Sequence, residues 1–273
     1  MANIYLRIKP IVDTYKFELT KSFKKFLIYT GVIIVILLLS SFIIYLIPQS
    51  ALPNTQNAYL QGGLGFINFI LMFGCCFFFA GVINTEFSKK TGFIVFPKIN
   101  KMKLLAGKYL ANLTLLILSI SIYYYFLSIM GIFYYGLPLT NKVFMSFGIA
   151  VLYILAVSSF VTLFSSFMKS VNITIITTIL ILIMAFSSVD SIVVLLYPNF
   201  EPLYSLDYMS YLISSILSVN FPTGSERYLE MTIMDFTFRT WLTPTVFQGV
   251  IVLSIYLIIC LTLALIIFKY RQL

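Results

Sequence analysis

The chain has 273 residues, 60% of them hydrophobic and only 10% charged, with a net charge of +9. A soluble domain carries about 25% charged residues, so a water-soluble surface cannot be built from this composition. The basic excess is segregated along the chain rather than gathered on a polar module, which argues against nucleic-acid binding, and the absence of histidine removes imidazole bases and imidazole metal ligands.

In chain order, residues 10–26 come first. Phe17, Phe23 and Phe26 alternate there with Lys16, Lys21, Lys24 and Lys25. That pattern predicts an amphipathic helix lying on an anionic lipid surface. The plainer alternative is a basic flank. No charge then occurs between Lys25 and Glu86. That interval holds two apolar runs, 27–47 and 64–83, separated by a linker with Pro48, Pro53, Asn54, Asn57, Gly62 and Gly63. A span needs about 20 apolar residues, so both runs qualify. The first begins too late and is too long for a signal-peptide core.

Residues 84–108 form the longest loop on the N-terminal side. Glu86 opens it, Thr91 and Gly92 break it, and Pro97 and Asn100 break it again. A short helix over 86–90 followed by a turn is the natural local reading. Further spans are predicted over 110–132, 144–167, 173–196 and 246–268. The runs are continuous rather than alternating, which excludes barrel strands. Before the last span, loop 198–244 contains the charge-free stretch 208–219. It is too short to span and suits a re-entrant or interfacial helix. Tyr204, Tyr208, Tyr211, Tyr228 and Trp241 fit a headgroup-level aromatic belt.

The expected fold class is therefore all-α integral membrane. It comprises six transmembrane helices in one domain over 1–273, an amphipathic interfacial helix at the N-terminus, and re-entrant or interfacial helices in the last external loop. Six spans put both termini on one side. Fifteen of the 18 basic residues fall on that side, all but Lys142, Arg227 and Arg239. By the positive-inside rule both termini are expected in the cytoplasm of a cell-membrane protein.

Catalytic chemistry is sparse. Cys75, Cys76 and Cys260 lie in apolar runs and read as buried small hydrophobes. No carboxylate falls in mid-span, and Asp190 is expected near the outer interface. Gly107 and Lys108 lack the spacing of a phosphate-binding loop. No catalytic residue, metal ligand or cofactor is expected on this chain. What remains is a hydroxyl pattern. Ser158, Thr162 and Ser166 recur every fourth residue on the fourth span, with Ser159 and Ser165 beside them. Thr174, Thr177 and Thr178 open the fifth. Such spacing signals close helix packing or the lining of a translocation path. Asn68, Asn112 and Gln248 are expected to bond across helices.

Glu86, then Lys90, Thr91 and Gly92, then Phe96, Pro97 and Lys101, then Gly107 and Lys108 follow one another into the third span. Taken with the topology, this order resembles the membrane subunit of an ABC-2 type ATP-binding-cassette transporter. The pair Asn100 and Lys101 departs from the family's usual proline-small-basic element. The resemblance implies a permease for export that docks a separate ATPase through a short coupling helix after span two, using Glu86, Phe87, Lys90, Thr91, Gly92 and Phe93. It implies two ATPase copies carrying ATP and magnesium, and a second permease copy or paralogue with the path between them. The rival reading is a non-transporting structural or assembly subunit of a membrane complex.

Overall fold

The computed structural model describes residues 2–46, 53–88, 99–197, 199–233 and 236–271. Helix α1 runs Ala2–Leu46, α2 Gln56–Gly63, α3 Ile67–Phe79, α4 Asn84–Ser88, α5 Lys101–Tyr135 and α6 Lys142–Phe167. Helix α7, Val171–Leu180, passes through a π-helical turn, Ile181–Ala185, into α8, Phe186–Leu196. A short helix α9, Leu206–Ser215, a hairpin of β1 (Tyr228–Ile233) and β2 (Phe236–Trp241), and α10, Val246–Tyr270, complete the chain. Among the described residues six helical stretches are long and apolar enough to cross a membrane: Ile8–Leu39, Gln56–Ser88, Lys101–Tyr135, Lys142–Phe167, Val171–Leu196 and Val246–Tyr270.

Local chemistry sets the helix boundaries. The Asn100 side chain accepts from Met102 N at 2.9 Å and starts α5, and Ser170 caps α7 on Ile173 N at 3.3 Å. Thr245 and Gln248 cap each other at the start of α10. Each satisfies an amide that a helix N-terminus leaves without an intrahelical partner. At the basic end, cationic side chains close helix C-termini. Arg271 donates to Ser166 O at 2.6 Å and Met168 O at 3.0 Å, finishing α6, while Lys101 donates to Arg271 O at 2.8 Å, just past α10.

Helix α6 is the hub. Tyr153, Ile154, Ala156, Val157 and Val161 are buried, and α10, α3 and α9 pack around it. Helices α1 and α5 form a second long pair. Its seam carries hydrogen bonds between Thr30 and Ser119 at 2.9 Å and from Tyr15 to Thr114 at 3.2 Å. Gly107 makes the close approach possible. A Cβ there would sit 2.7 Å from Thr14 Cβ and 2.9 Å from Ile11 O.

Two features differ from the sequence-based expectation. The segment 10–26 is not a separate helix, because α1 continues through it without a break. Lys16, Lys21 and Lys24 are exposed on it, while a second polar stripe, Thr14, Glu18 and Ser22, is buried. The fold is also not purely α. Tyr228–Ile233 and Phe236–Trp241 are rich in aromatic and β-branched residues, the types favoured in strands. They pair antiparallel with Glu230 opposite Arg239. That pair adds a 2.8 Å cross-strand ion pair.

Helix α9 lies deep against α6. Near its start, Asp207 accepts from Asn68 Nδ2 at 2.7 Å, and Asn68 accepts from Tyr153 Oη at 2.9 Å. Tyr153 stands about 16 Å along α6 from Lys142. Beyond the helix's far end, Lys142 donates to Ser218 O at 2.6 Å. The 208–219 stretch thus rises along α6 from mid-helix to its end.

Candidate functional site

At the basic end of the bundle a cluster of charges is shut away from solvent. Lys108, on the first turns of α5, pairs with Glu86 on α4 and lies 3.6 Å from Glu18 of α1. Side-chain exposures are 4% for Lys108, 8% for Glu86 and 7% for Glu18, so all three are desolvated. Lys21, at 2.9 Å from Glu18 and half exposed, brings in a second cation. Charges this deep are stable only when paired, and an unpaired one costs several kcal/mol. The cluster therefore pins α1, α4 and α5 to one another.

The Glu86 carboxylate turns inward to Lys108. Phe87 likewise packs on α10, with its ring 6.1 Å from Phe268 and 4.1 Å from the Arg271 guanidinium. Lys90, Thr91, Gly92 and Phe93 lie outside the described residues. Glu18, an acid within a basic stretch, belongs to the cluster and was not singled out. Its one sequence signal is a carboxylate at helical spacing from Thr14 and Ser22.

The hydroxyl ladder is largely buried within the chain. Ser158, Thr162, Ser166 and Thr174 are fully buried, while Thr177 is half-buried. Ser158 shares a hydrogen bond with Tyr109 Oη at 2.7 Å, and Asn84 Nδ2 donates to Thr174 at 2.6 Å. Thr162 and Ser166 bond to their own helix, at Ser158 O and Leu163 O. Ser165 has the most demanding position. It accepts from both Ile83 N and Asn84 N at 3.2 Å and donates to Ala80 O at 2.8 Å, closing the turn between α3 and α4. On the fifth span Thr178 is buried with Thr174 and bonded to Cys76 at 3.3 Å, whereas Thr177 is not fully buried. Of the polar span residues, Asn68 bonds across helices as expected, to Asp207 and Tyr153, whereas Gln248 bonds to Glu201 and Arg227 of the preceding loop. Asn112 instead donates to Lys108 O on its own helix at 3.0 Å. A groove of about 610 Å³ between α1, α3 and α7 is walled by apolar side chains such as Ile33, Phe73 and Ile179, and none of the ladder lines it.

The opposite end carries a second cluster. Arg227 pairs with Glu201, donates to Thr243 O at 3.1 Å and to Gln248 Oε1 at 3.2 Å, and stands 5.4 Å from the Trp241 ring. Tyr208 Oη donates to Glu201 at 2.9 Å. Burial, with the Glu201 charge beside it, pushes the Tyr208 hydroxyl well above its ordinary pKa. This cluster ties the hairpin, the start of α10 and α9 together. No model of a known protein family matches the sequence, and no curated protein matches it.

Proposed function

We propose that the chain is the membrane permease subunit of an ABC-2 type exporter, working as a dimer and driven by a separate ATPase that docks on segment 89–98. One observation carries this reading. Both helices that flank the segment, α4 and α5, end on the same buried ion cluster, and Glu18 links α1 to it. A load applied to the segment reaches three helices at once instead of dissipating in a loose loop. In this reading Lys90, Thr91, Gly92 and Phe93 make the docking surface, and Glu86 and Phe87 anchor its root.

The remaining features fit the same role. The basic asymmetry supports an orientation with both termini and the cluster in the cytoplasm and the hairpin outside the cell membrane. Helix α9 is then re-entrant, entering from outside to the depth of Tyr153. The fifth span, Val171–Leu196, adds few buried side chains to the chain's own core, which leaves it for lipid or a second copy. ATP and magnesium belong to the partner subunit.

The test is co-purification with the cognate ATPase and ATP-driven efflux from vesicles containing both. Gly92→Pro is expected to release the ATPase or to leave hydrolysis without transport. Normal membrane insertion with no ATPase retained by the unaltered chain, and no ATP-dependent efflux, would favour the assembly-subunit reading instead.

A further inference from the structure

The groove of about 610 Å³ opens on the flank of the bundle, between α1, α3 and α7. Helix α1 packs on α5, and α7 packs on α3 and α6, which leaves one face of α3 uncovered between them. That face carries Phe66, Phe69, Phe73 and Phe77 at helical spacing. Gly74 deepens the floor. A Cβ there would lie 2.4 Å from Tyr29 Oη, so its absence lets Tyr29 lie close against α3.

The walls are hydrocarbon throughout. Of the described lining residues only Tyr29 and Cys76 carry a side-chain heteroatom, and both turn it into the protein. Tyr29 Oη donates to Ile70 O at 2.6 Å, and Cys76 is bonded to Thr178 at 3.3 Å. Val32, Phe69 and Phe73 are about half exposed, so the groove is open along its side.

Polarity changes abruptly at one end. A single face of α1 reads Lys21, Lys25, Ile28, Val32 and Ile36, cations first and then groove wall. Lys25 Nζ stands 5.8 Å from the centre of the Phe77 ring, at the basic mouth of the groove, and Lys24 is exposed beside it. From Lys25 to Ile36, and from Phe77 back to Phe66, each helix covers about 16 Å. The hydrocarbon core of a bilayer is about 30 Å thick. The groove is therefore one leaflet deep, with ammonium groups at headgroup level.

We propose that the groove seats one phospholipid with an anionic headgroup, an acyl chain along Phe69, Phe73 and Ile179 and the phosphate at Lys24 and Lys25. Charge favours this occupant over a second copy of the chain. Among the described residues at this end Asp13 is the one exposed carboxylate, against Lys9, Lys16, Lys21, Lys24 and Lys169. Glu18 and Glu86 are buried with Lys108. A copy inserted the same way up would bring like charges to the mouth, whereas a phosphate offsets them, more strongly with each lysine. A lipid bound here needs neither an ATPase nor a path between two copies, so the proposal stands apart from the permease reading.

The full chain in maltoside micelles is titrated with dioleoylphosphatidylglycerol or with dioleoylphosphatidylcholine, and the lipid retained per chain is counted by native mass spectrometry. Retention of a single phosphatidylglycerol is expected, tighter than phosphatidylcholine by roughly tenfold or more. Val32→Trp, which fills the groove from an exposed position, should abolish it. Ile258→Trp, comparably exposed on α10 and away from the groove, should not. Lys24→Gln combined with Lys25→Gln should remove the preference for the anionic lipid, and decides the matter if Val32→Trp fails to fold. Equal retention of the two lipids by the unaltered chain overturns the proposal, as does undiminished phosphatidylglycerol binding in Val32→Trp or in the double variant. A Val32→Trp chain that keeps its lipid and loses a dimer assigns the groove to a second copy and overturns it too.

Discussion

Lys108 and Glu86 stand 22 residues apart, at the two roots of one loop, and meet in a buried ion pair that Glu18 of α1 joins. Lys108→Ala leaves two carboxylates in a desolvated cluster with their shared cation gone. It is expected to lower stability by about 3–5 kcal/mol. Glu86→Gln should cost less, because Lys108 keeps Glu18 at 3.6 Å. Thermal unfolding of the purified variants in one detergent measures both. A Lys108→Ala protein that melts with the unaltered chain would show that the cluster holds nothing together.

The α1–α5 seam depends on Gly107 having no side chain. Gly107→Val is expected to cost about 1–3 kcal/mol by overpacking, since the added atoms meet backbone at Ile11 O as well as Thr14. Gly148→Ala is the control. Nothing lies within 4 Å of its new Cβ, and removing a helical glycine should be neutral or stabilising by about 0.5–1 kcal/mol. Equal melting temperatures for the two variants would contradict the close contact.

Ser165 closes the turn between α3 and α4 with two accepted amides. Ser165→Ala should cost about 1–3 kcal/mol by leaving buried backbone donors without their acceptor. Ser166→Ala should cost less, because Ser166 Oγ bonds only within its own helix. Hydrogen exchange at Ile83 and Asn84 gives a local readout: faster exchange is expected in Ser165→Ala, and protection equal to that of the unaltered chain would refute the role.

Asp207 gives stability a pH dependence of defined sign. Burial raises its carboxyl above the unfolded value of about 3.9, so the native state holds the proton more tightly than the unfolded chain. The destabilising contribution is absent below the unfolded value, grows as pH rises through the window between the two, and is complete above the raised folded value. Asp207→Asn lacks it. The melting temperature of the unaltered chain should therefore improve relative to Asp207→Asn as pH falls from 7 toward the carboxylate range. Parallel curves for the two proteins would show that the burial has no energetic consequence.

The sequence by itself determined six runs long and apolar enough to cross a membrane and the segregation of basic residues between them. Each of these is a one-dimensional property: run length against membrane thickness, and charge counted by loop. It also marked Ser158, Thr162 and Ser166 as one helix face, because hydroxyl spacing on a helix reads directly as a face. Only the tertiary structure decided that Glu86 faces Lys108, that Glu18 joins them, and that the polar stripe of α1 packs on α5. It alone decided that Asn68 meets Asp207 across 139 residues of chain. Those facts depend on which helix lies beside which, and an apolar run carries no record of its neighbour in a medium where every run is apolar. The polar atoms choose the partners, since inside the bundle each must find another or go unpaired.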